Sequence, residues 1–272
     1  MDELFYRSNI ITRKYYDTDV FIYEDHRYIL NILFSAFHSK KLIEPPTLVY
    51  FDKHDDGKGP MVSIDRLKSI RNRKIDQKEM WDFVEWEIST QDDDWLKVGM
   101  ELGLIGDAIL IGCNEASNFR DFRNTYIDHL SKEHLIFKVS HIWNGLSHQG
   151  WLVDRAQESK YSEIWDLLGI ENNSYISINA EKQKTKVILD FDLDCFTTKF
   201  LEDTLPWPYE YFNKYFRSPC GRNYYRPKEF TDMLLRTVEF ITIARETDYC
   251  GSFHNNALIF DSINDIIFDN KL

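Results

Sequence analysis

Little in this chain can staple a fold or anchor it in a bilayer. It has four cysteines, Cys113, Cys195, Cys220 and Cys250, far apart and with no C-x-x-C pair. That spacing argues against a structural zinc site or a disulfide framework. No stretch approaches the roughly 20 apolar residues that a membrane span needs. The start, Met1-Asp2-Glu3-Leu4-Phe5-Tyr6-Arg7, has no basic segment followed by an apolar one, so a reducing cytoplasm is the expected compartment. Basic residues are outnumbered, 33 Lys and Arg against 45 Asp and Glu, for a formal net charge of -12. Such a balance disfavours nucleic-acid backbones and anionic membranes and suits cationic ligands or metal ions. Internal repeats and low-complexity linkers are also missing.

What is present is enough apolar material for a sizeable core: 43% hydrophobic and 15% aromatic residues over a length of 272. That length favours one large α/β domain over two small ones. Two apolar runs stand out because each ends in acids. Val187-Ile188-Leu189 leads into Asp190-Phe191-Asp192-Leu193-Asp194, and Thr47-Leu48-Val49-Tyr50-Phe51 leads into Asp52-Lys53-His54-Asp55-Asp56. Buried strands that deliver carboxylates to a sheet edge have this pattern.

Further strands are expected at residues 19–23, 108–111, 134–139 and 240–244, and helical spacing marks the segment holding Ile29, Leu30, Ile32, Leu33 and Phe37. Asp92-Asp93-Asp94 reads as a helix cap ahead of Trp95, Val98, Gly99 and Leu102. Helices are also expected at residues 161–168, 228–236 and 256–268, and the aromatic cluster at 209–215 reads as core or lid. Alternating strands and helices imply a mostly parallel sheet with both faces covered. Ligands of such sheets sit at the carboxyl ends of the strands. Asp25-His26, the Asp52–Asp56 run, Asp192-Leu193-Asp194 and Glu246 all follow a predicted strand.

If the chain stays extended, Asp52, His54 and Asp56 share one side, as do Asp192 and Asp194. Carboxylates and imidazoles in this number suit two divalent ions about 3.5–4 Å apart, with bridging acids and a shared activated water. Oxygen-rich ligands favour Mn2+ or Mg2+ over zinc, while the imidazoles leave zinc or iron open. Asp190 and Asp25 are candidates for orienting a ligand from behind. The bland alternatives are a solvated acidic turn for Asp52–Asp56, a strand cap for Asp192 and Asp194, a polar-loop histidine at His26, and ordinary surface positions for Glu246 and His254.

These segments resemble the arginase–agmatinase ureohydrolase superfamily. Its three ligand motifs are a Gly-Gly-Asp-His, an Asp-x-His-x-Asp and a Ser-x-Asp-x-Asp segment. Glu24-Asp25-His26 is similar to the first. The Asp52–Asp56 run matches the second, and Asp190-Phe191-Asp192-Leu193-Asp194 matches the third with Asp190 in place of Ser. The nearer likeness is to divergent peptide arginases. It is carried by Leu189-Asp190-Phe191-Asp192-Leu193-Asp194-Cys195-Phe196, Asp94-Trp95-Leu96 and Ile241-Thr242-Ile243-Ala244-Arg245.

The resemblance implies a three-layer α/β/α arginase-like fold with a mostly parallel central sheet, as a single domain over residues 1–272. It implies two Mn2+ per chain. His26, Asp52, Asp56 and Asp192 would hold one, and Asp52, His54, Asp192 and Asp194 the other, with Asp52 and Asp192 bridging. Asp56 would also orient the attacking water, and Glu246 would bind the guanidinium. The implied reaction converts arginine side chains of a ribosomally made precursor peptide to ornithine and urea. Homo-oligomerisation is left open.

The chain departs from the family in two places. The loop at 57–71 has no histidine for a proton shuttle, which leaves His141, His148 or His254 as candidates, or a reaction that needs no shuttle, and the loop that reads a free α-amino and α-carboxyl group is not recognisable. Alternatives remain: another hydrolase on the same fold, acting on a small guanidino compound or an amide, or a non-catalytic, metal-stabilised peptide-binding module. An Asp-x-Asp phosphatase or glycosyltransferase explains neither His26 nor the second motif, and a one-zinc deacetylase leaves a surplus Asp pair.

Overall fold

Strand-forming runs such as Val187-Ile188-Leu189 and Ile241-Thr242-Ile243 are buried on both faces, and they assemble the centre of an eight-stranded sheet. The computed structural model describes residues 10–54, 56–72, 75–91, 93–112, 122–139, 186–200, 202–217 and 227–272. The strands are β1 (Ile11–Tyr15), β2 (Thr18–Tyr23), β3 (Thr47–Asp52), β4 (Ala108–Gly112), β5 (Phe122–Ile127), β6 (Glu133–Val139), β7 (Val187–Asp192) and β10 (Phe240–Ala244). Their spatial order is β1-β2-β10-β7-β3-β4-β6-β5. Every pairing from β2 to β6 is parallel, and β1 and β5 close the two edges antiparallel. A separate antiparallel ribbon pairs β8 (Thr197–Phe200) with β9 (Asp203–Pro206).

Seven helices are described: α1 (Ile29–His38), α2 (Ile64–Asn72), α3 (Gln77–Glu87), α4 (Trp95–Leu102), α5 (Tyr209–Arg217), α6 (Pro227–Leu235) and α7 (Phe253–Ile266). Alternate residues of each strand divide between two cores. Leu48, Tyr50, Leu110 and Ile188 pack with Leu30, Leu33, Phe83, Val84 and Trp95 of α1, α3 and α4. Val49, Phe51, Ile109, Leu189 and Phe191 pack with Phe212, Phe216, Leu234 and Ile263 of α5 to α7. The layering is that of an α/β/α sandwich, as the alternating pattern predicts. The aromatic cluster divides: Phe212, Tyr215 and Phe216 join the core, whereas Tyr209 and Tyr211 stay exposed.

Two sequence readings change. The helix expected from 256 begins at Phe253, because the Ser252 hydroxyl accepts the Asn255 N–H at 3.1 Å and caps it there. Asp94 occupies the cap position of α4, yet its carboxylate makes no cap bond. It instead accepts the N–H groups of Met61 at 2.9 Å and Ser89 at 3.3 Å, tying two loops to the helix. Among the described residues no helix is long and apolar enough to cross a membrane. Cys195 and Cys250 are buried free thiols. Cys113, Cys220, His141, His148 and the 161–168 helix fall outside the described residues.

Candidate metal centre

Asp52 and Asp192 are the last residues of β3 and β7. These strands are neighbours, in register through Phe51 and Phe191, so the two carboxylates emerge side by side at the carboxyl edge. Each then turns its own chain. Asp52 Oδ1 accepts the N–H of His54 at 2.7 Å, and Asp192 Oδ1 accepts that of Asp194 at 3.0 Å. Aspartate bonding to the backbone two residues on makes an Asx-turn. The i, i+2 spacing therefore converges through a turn rather than an extended strand, and Asp194 lies in a short 3-10 turn, Leu193–Phe196.

His26 begins another 3-10 turn, His26–Tyr28, just past β2. Its imidazole is fully buried, with Nε2 2.7 Å from Asp190 Oδ2. Asp190 also accepts the Tyr23 hydroxyl at 3.2 Å and the Thr242 hydroxyl, all on Oδ1. A carboxylate held this way keeps the proton on Nε2 and turns the Nδ1 lone pair outward. Nδ1 lies 3.2 Å from Asp56 Oδ2, 3.3 Å from Asp192 Oδ2 and 3.6 Å from Asp52 Oδ2. The role proposed for Asp25 thus falls to Asp190: Asp25 bonds instead to the Arg27 guanidinium, at 3.1 Å.

Asp56 reaches the cluster from a backbone with φ of 41°, in the left-handed region that aspartate tolerates better than most residues. The Trp95 indole N–H donates to Asp56 Oδ2 at 2.7 Å, and the Trp95 ring lies 4.4 Å from that of His26. The loop carrying Asp56 is also fixed by Lys58 N–H on the Asp93 carbonyl at 2.9 Å and by Met61 on Asp94. The acidic run thus anchors the loop that holds a candidate ligand. Asp55 and Asp92 lie outside the described residues.

Two ligand groups result: His26, Asp52, Asp56 and Asp192, then Asp52, His54 and Asp194, with the ligand atoms of each within 4.8 Å of one another. Asp52 belongs to both. Asp192, expected in both, joins only the first, because its Oδ1 is turned to the Asp194 N–H and its Oδ2 to His26. His54 Nδ1 is 3.2 Å from Asp194 Oδ2 on a half-exposed ring, so the second group is the more open one. Lys53 turns away, donating to Thr197 Oγ1 at 2.9 Å.

The electrostatics ask for positive charge. Burial, with Asp56 and Asp192 close by, pushes the Asp52 carboxyl well above the usual carboxylate range. Burial and Asp194 push Asp192 up to about 7. Burial alone would depress His26, but Asp190 and the other carboxylates around it lift it well above 6.5. The hydrogen bond to Asp194 raises His54. His26 Nδ1, Asp52 Oδ2 and Asp194 Oδ1 are buried atoms without a hydrogen-bond partner. Orphaned donors and acceptors of that kind are costly unless a ligand or ion satisfies them. The residues therefore fit divalent cations.

Glu246 lies beside the centre, not in it. Its Oε1 accepts the His26 backbone N–H at 2.6 Å, while the Glu246 N–H donates to the Glu24 carbonyl at 3.0 Å. Glu24 Oε1 in turn accepts the Thr247 N–H at 2.9 Å. The loops after β2 and β10 thus clasp each other by reciprocal carboxylate bonds. Arg245 does not compete for Glu246 through Nε, which donates to Asn256 Oδ1 at 2.9 Å. A cleft of about 780 Å3 opens here, lined by residues that include Glu24, Asp25, Glu246, Asp248 and Tyr249. His254 is exposed on the first turn of α7 and belongs to neither ligand group.

The supporting roles of Trp95, Tyr23 and Thr242 escape sequence reading. Only strand parity gives a hint: Thr242 stands opposite Asp190 in the β10–β7 register, so both face the same core. No protein-family model matches the chain, and no curated protein matches it significantly.

Proposed function

We propose that the protein is a binuclear Mn2+ hydrolase on an arginase-like fold. It converts arginine side chains of a ribosomally made precursor peptide to ornithine, with release of urea. The observation that carries this reading is Asp52, one carboxylate common to two convergent ligand groups at the carboxyl edge of a parallel sheet. His26, Asp52, Asp56 and Asp192 would hold one ion and Asp52, His54 and Asp194 the other. Donors of carboxylate oxygen and imidazole nitrogen suit Mn2+. When bound, paired divalent ions supply Lewis-acid polarisation and bring the pKa of a water towards neutrality.

The reaction adds water across the guanidinium C–Nε bond. The oxygen goes to the carbon, which departs in urea, and both hydrogens end on the leaving nitrogen, which becomes the ornithine ammonium. Asp190 fixes the His26 ring so that Nδ1 faces the centre. Trp95 fixes Asp56 through Oδ2, which positions this carboxylate to take a proton from water and pass it to the leaving nitrogen. Glu246 offers the guanidinium a carboxylate, a partner that can form paired hydrogen bonds with it. His254, next to the cleft residue Phe253, is the candidate for exchanging protons with solvent.

An acidic cleft beside the centre supports a cationic substrate, and its volume of about 780 Å3 falls in the range of ligand-sized pockets. The test is metal content with urea release, on Mn2+-reconstituted protein given an arginine-containing peptide, free arginine or agmatine. Two Mn2+ per chain and urea from the peptide alone are expected. Two metals without urea from any substrate would remove the reaction and leave the site.

A further inference from the structure

The two ligand groups are held in different ways. In the first, a partner outside the ligand set steadies each of two side chains: Asp190 behind His26, and the Trp95 indole on Asp56. The second is split between two turns. Asp52 and His54 belong to the turn after β3, and Asp194 to the 3-10 turn after β7. Among the described residues, two polar side-chain contacts join residues 52–54 to residues 192–197. One is His54 Nδ1 to Asp194 Oδ2 at 3.2 Å, a contact between two ligand atoms that an ion would take over. The other is the Lys53 ammonium on Thr197 Oγ1 at 2.9 Å, and it involves no ligand atom.

Lys53 stands in sequence between two candidate ligands. Its ammonium nevertheless makes no ion pair among the described residues and goes to a neutral hydroxyl, which leaves the carboxylates open to ions. Thr197 is fully buried, and its hydroxyl donates to the Asp194 carbonyl at 2.7 Å. The Thr197 N–H meets the same carbonyl. Donors thus run one way, from ammonium to hydroxyl to carbonyl, and hydrogen bonds in such a chain reinforce one another. The Asp194 N–H is held by Asp192 Oδ1. Asp194 is therefore fixed through its backbone at both ends, while its Oδ1 is buried without a hydrogen-bond partner.

We propose that Lys53, acting through Thr197, is a positioning residue for the second ion, that of Asp52, His54 and Asp194. The relay sets the spacing of the turns after β3 and β7 before metal binds. The proposal rests on the paired-ion reading above and gives part of that centre to a residue outside the ligand set. Two turns free to move apart bind an ion less tightly, because ordering them becomes part of the cost of binding. The first ion does not depend on the relay, since His26 and Asp56 have their own partners.

The test is Mn2+ titration of the full chain, with calorimetry for the affinities and electron paramagnetic resonance for the arrangement. Two Mn2+ sharing the Asp52 carboxylate are magnetically coupled, whereas a lone Mn2+ shows its own hyperfine pattern. Lys53→Met keeps the stem and removes the donor; Thr197→Val keeps the shape and removes the hydroxyl. Each is expected to weaken the second Mn2+ about tenfold, the lower end for a partner behind a metal ligand. The first Mn2+ should bind as in wild type, which also shows that the variant is folded, and at limiting Mn2+ the isolated signal should replace the coupled one. Thr197→Ser keeps the hydroxyl and should restore the second ion. The double variant should be no weaker than the worse single one, because both changes break one relay. Wild-type affinity for the second ion in Lys53→Met, parallel loss of both ions, or losses that add in the double variant overturn the proposal. The outcomes also separate it from the reading on which it rests. A wild-type chain that binds no second Mn2+ removes the paired centre and the relay's role together. Two coupled ions insensitive to Lys53→Met keep the centre and remove the relay. Loss of the second ion in the variants, with no urea from any substrate in wild type, keeps the relay and removes the reaction.

Discussion

Replacing Asp190 tests how much of the centre is built from behind. The carboxylate receives His26 Nε2 at 2.7 Å, the Tyr23 hydroxyl at 3.2 Å and the Thr242 hydroxyl, all fully buried or nearly so. Asp190→Ala would strand three donors at about 1–3 kcal/mol each. That is roughly 3–9 kcal/mol against a typical total stability of about 5–15 kcal/mol, so the variant would be hard to read. Asp190→Asn keeps the shape and an oxygen for His26 but removes the charge. Partners behind a metal-binding histidine typically contribute about 10–100-fold in metal affinity. A Mn2+ affinity weaker by that factor, about 1.4–2.7 kcal/mol, is the expected result. Titration calorimetry reads it, with circular dichroism to verify the fold. A folded Asp190→Asn protein that binds Mn2+ as tightly as wild type would refute the reasoning, since His26 would then not depend on its carboxylate.

Trp95→Phe keeps a ring against His26 and removes the N–H on Asp56. Urea release should drop by about tenfold or more, as for a lost bond to a charged acceptor, with Mn2+ content kept; losing both in parallel would argue against a positioning role. With metal chelated, the raised carboxyls make the folded state hold extra protons. Their contribution is present below about pH 4, the ordinary carboxylate range, and is lost as pH rises through about 7, where Asp192 titrates. The Tm of chelated protein should thus decline between about pH 5 and 7, and Mn2+ should flatten the decline. Phe191 stacks on Phe51 with ring centroids 5.1 Å apart and is fully buried. Phe191→Ala should cost about 3–5 kcal/mol in denaturant unfolding. Breaking the exposed Arg66–Glu87 pair with Glu87→Gln should cost less than about 1 kcal/mol.

The parts of the fold legible in the sequence are those where one local signal dominates. Runs such as Val187-Ile188-Leu189 declare buried strands, and acids at their ends mark the carboxyl edge of the sheet. Asp52, Asp192 and their i+2 partners were therefore readable as a set, though the turn that joins them was not: alternation along a strand and an Asx-turn predict the same convergence. Edge strand β1, Ile-Thr-Arg-Lys-Tyr, is not legible, because four of its five residues are exposed and carry no apolar period. Helix α3 has a weak apolar period, and the signal that sequence does hold is at its start, the reciprocal cap of Asp76 with Glu79. Trp95 is legible only as a helix residue. Its bond to Asp56 spans 39 residues, and no periodicity reports a contact between a loop and a helix start.

The order of strands has a consequence for when the centre comes into being. β2 joins the parallel sheet only through β10, the last strand of the chain, and its other neighbour is its hairpin partner β1. The clasp that seats His26 comes from Glu246, 220 residues further on. Contacts so distant in sequence form late, after the loop-closure entropy between them has been met. During synthesis the β1–β2 hairpin must therefore wait for β10 before the histidine that follows it has a place to stand. Until then β3 and β7 can bring together the aspartates and His54, but not His26. The first ligand group is thus complete only once β10 has joined the sheet.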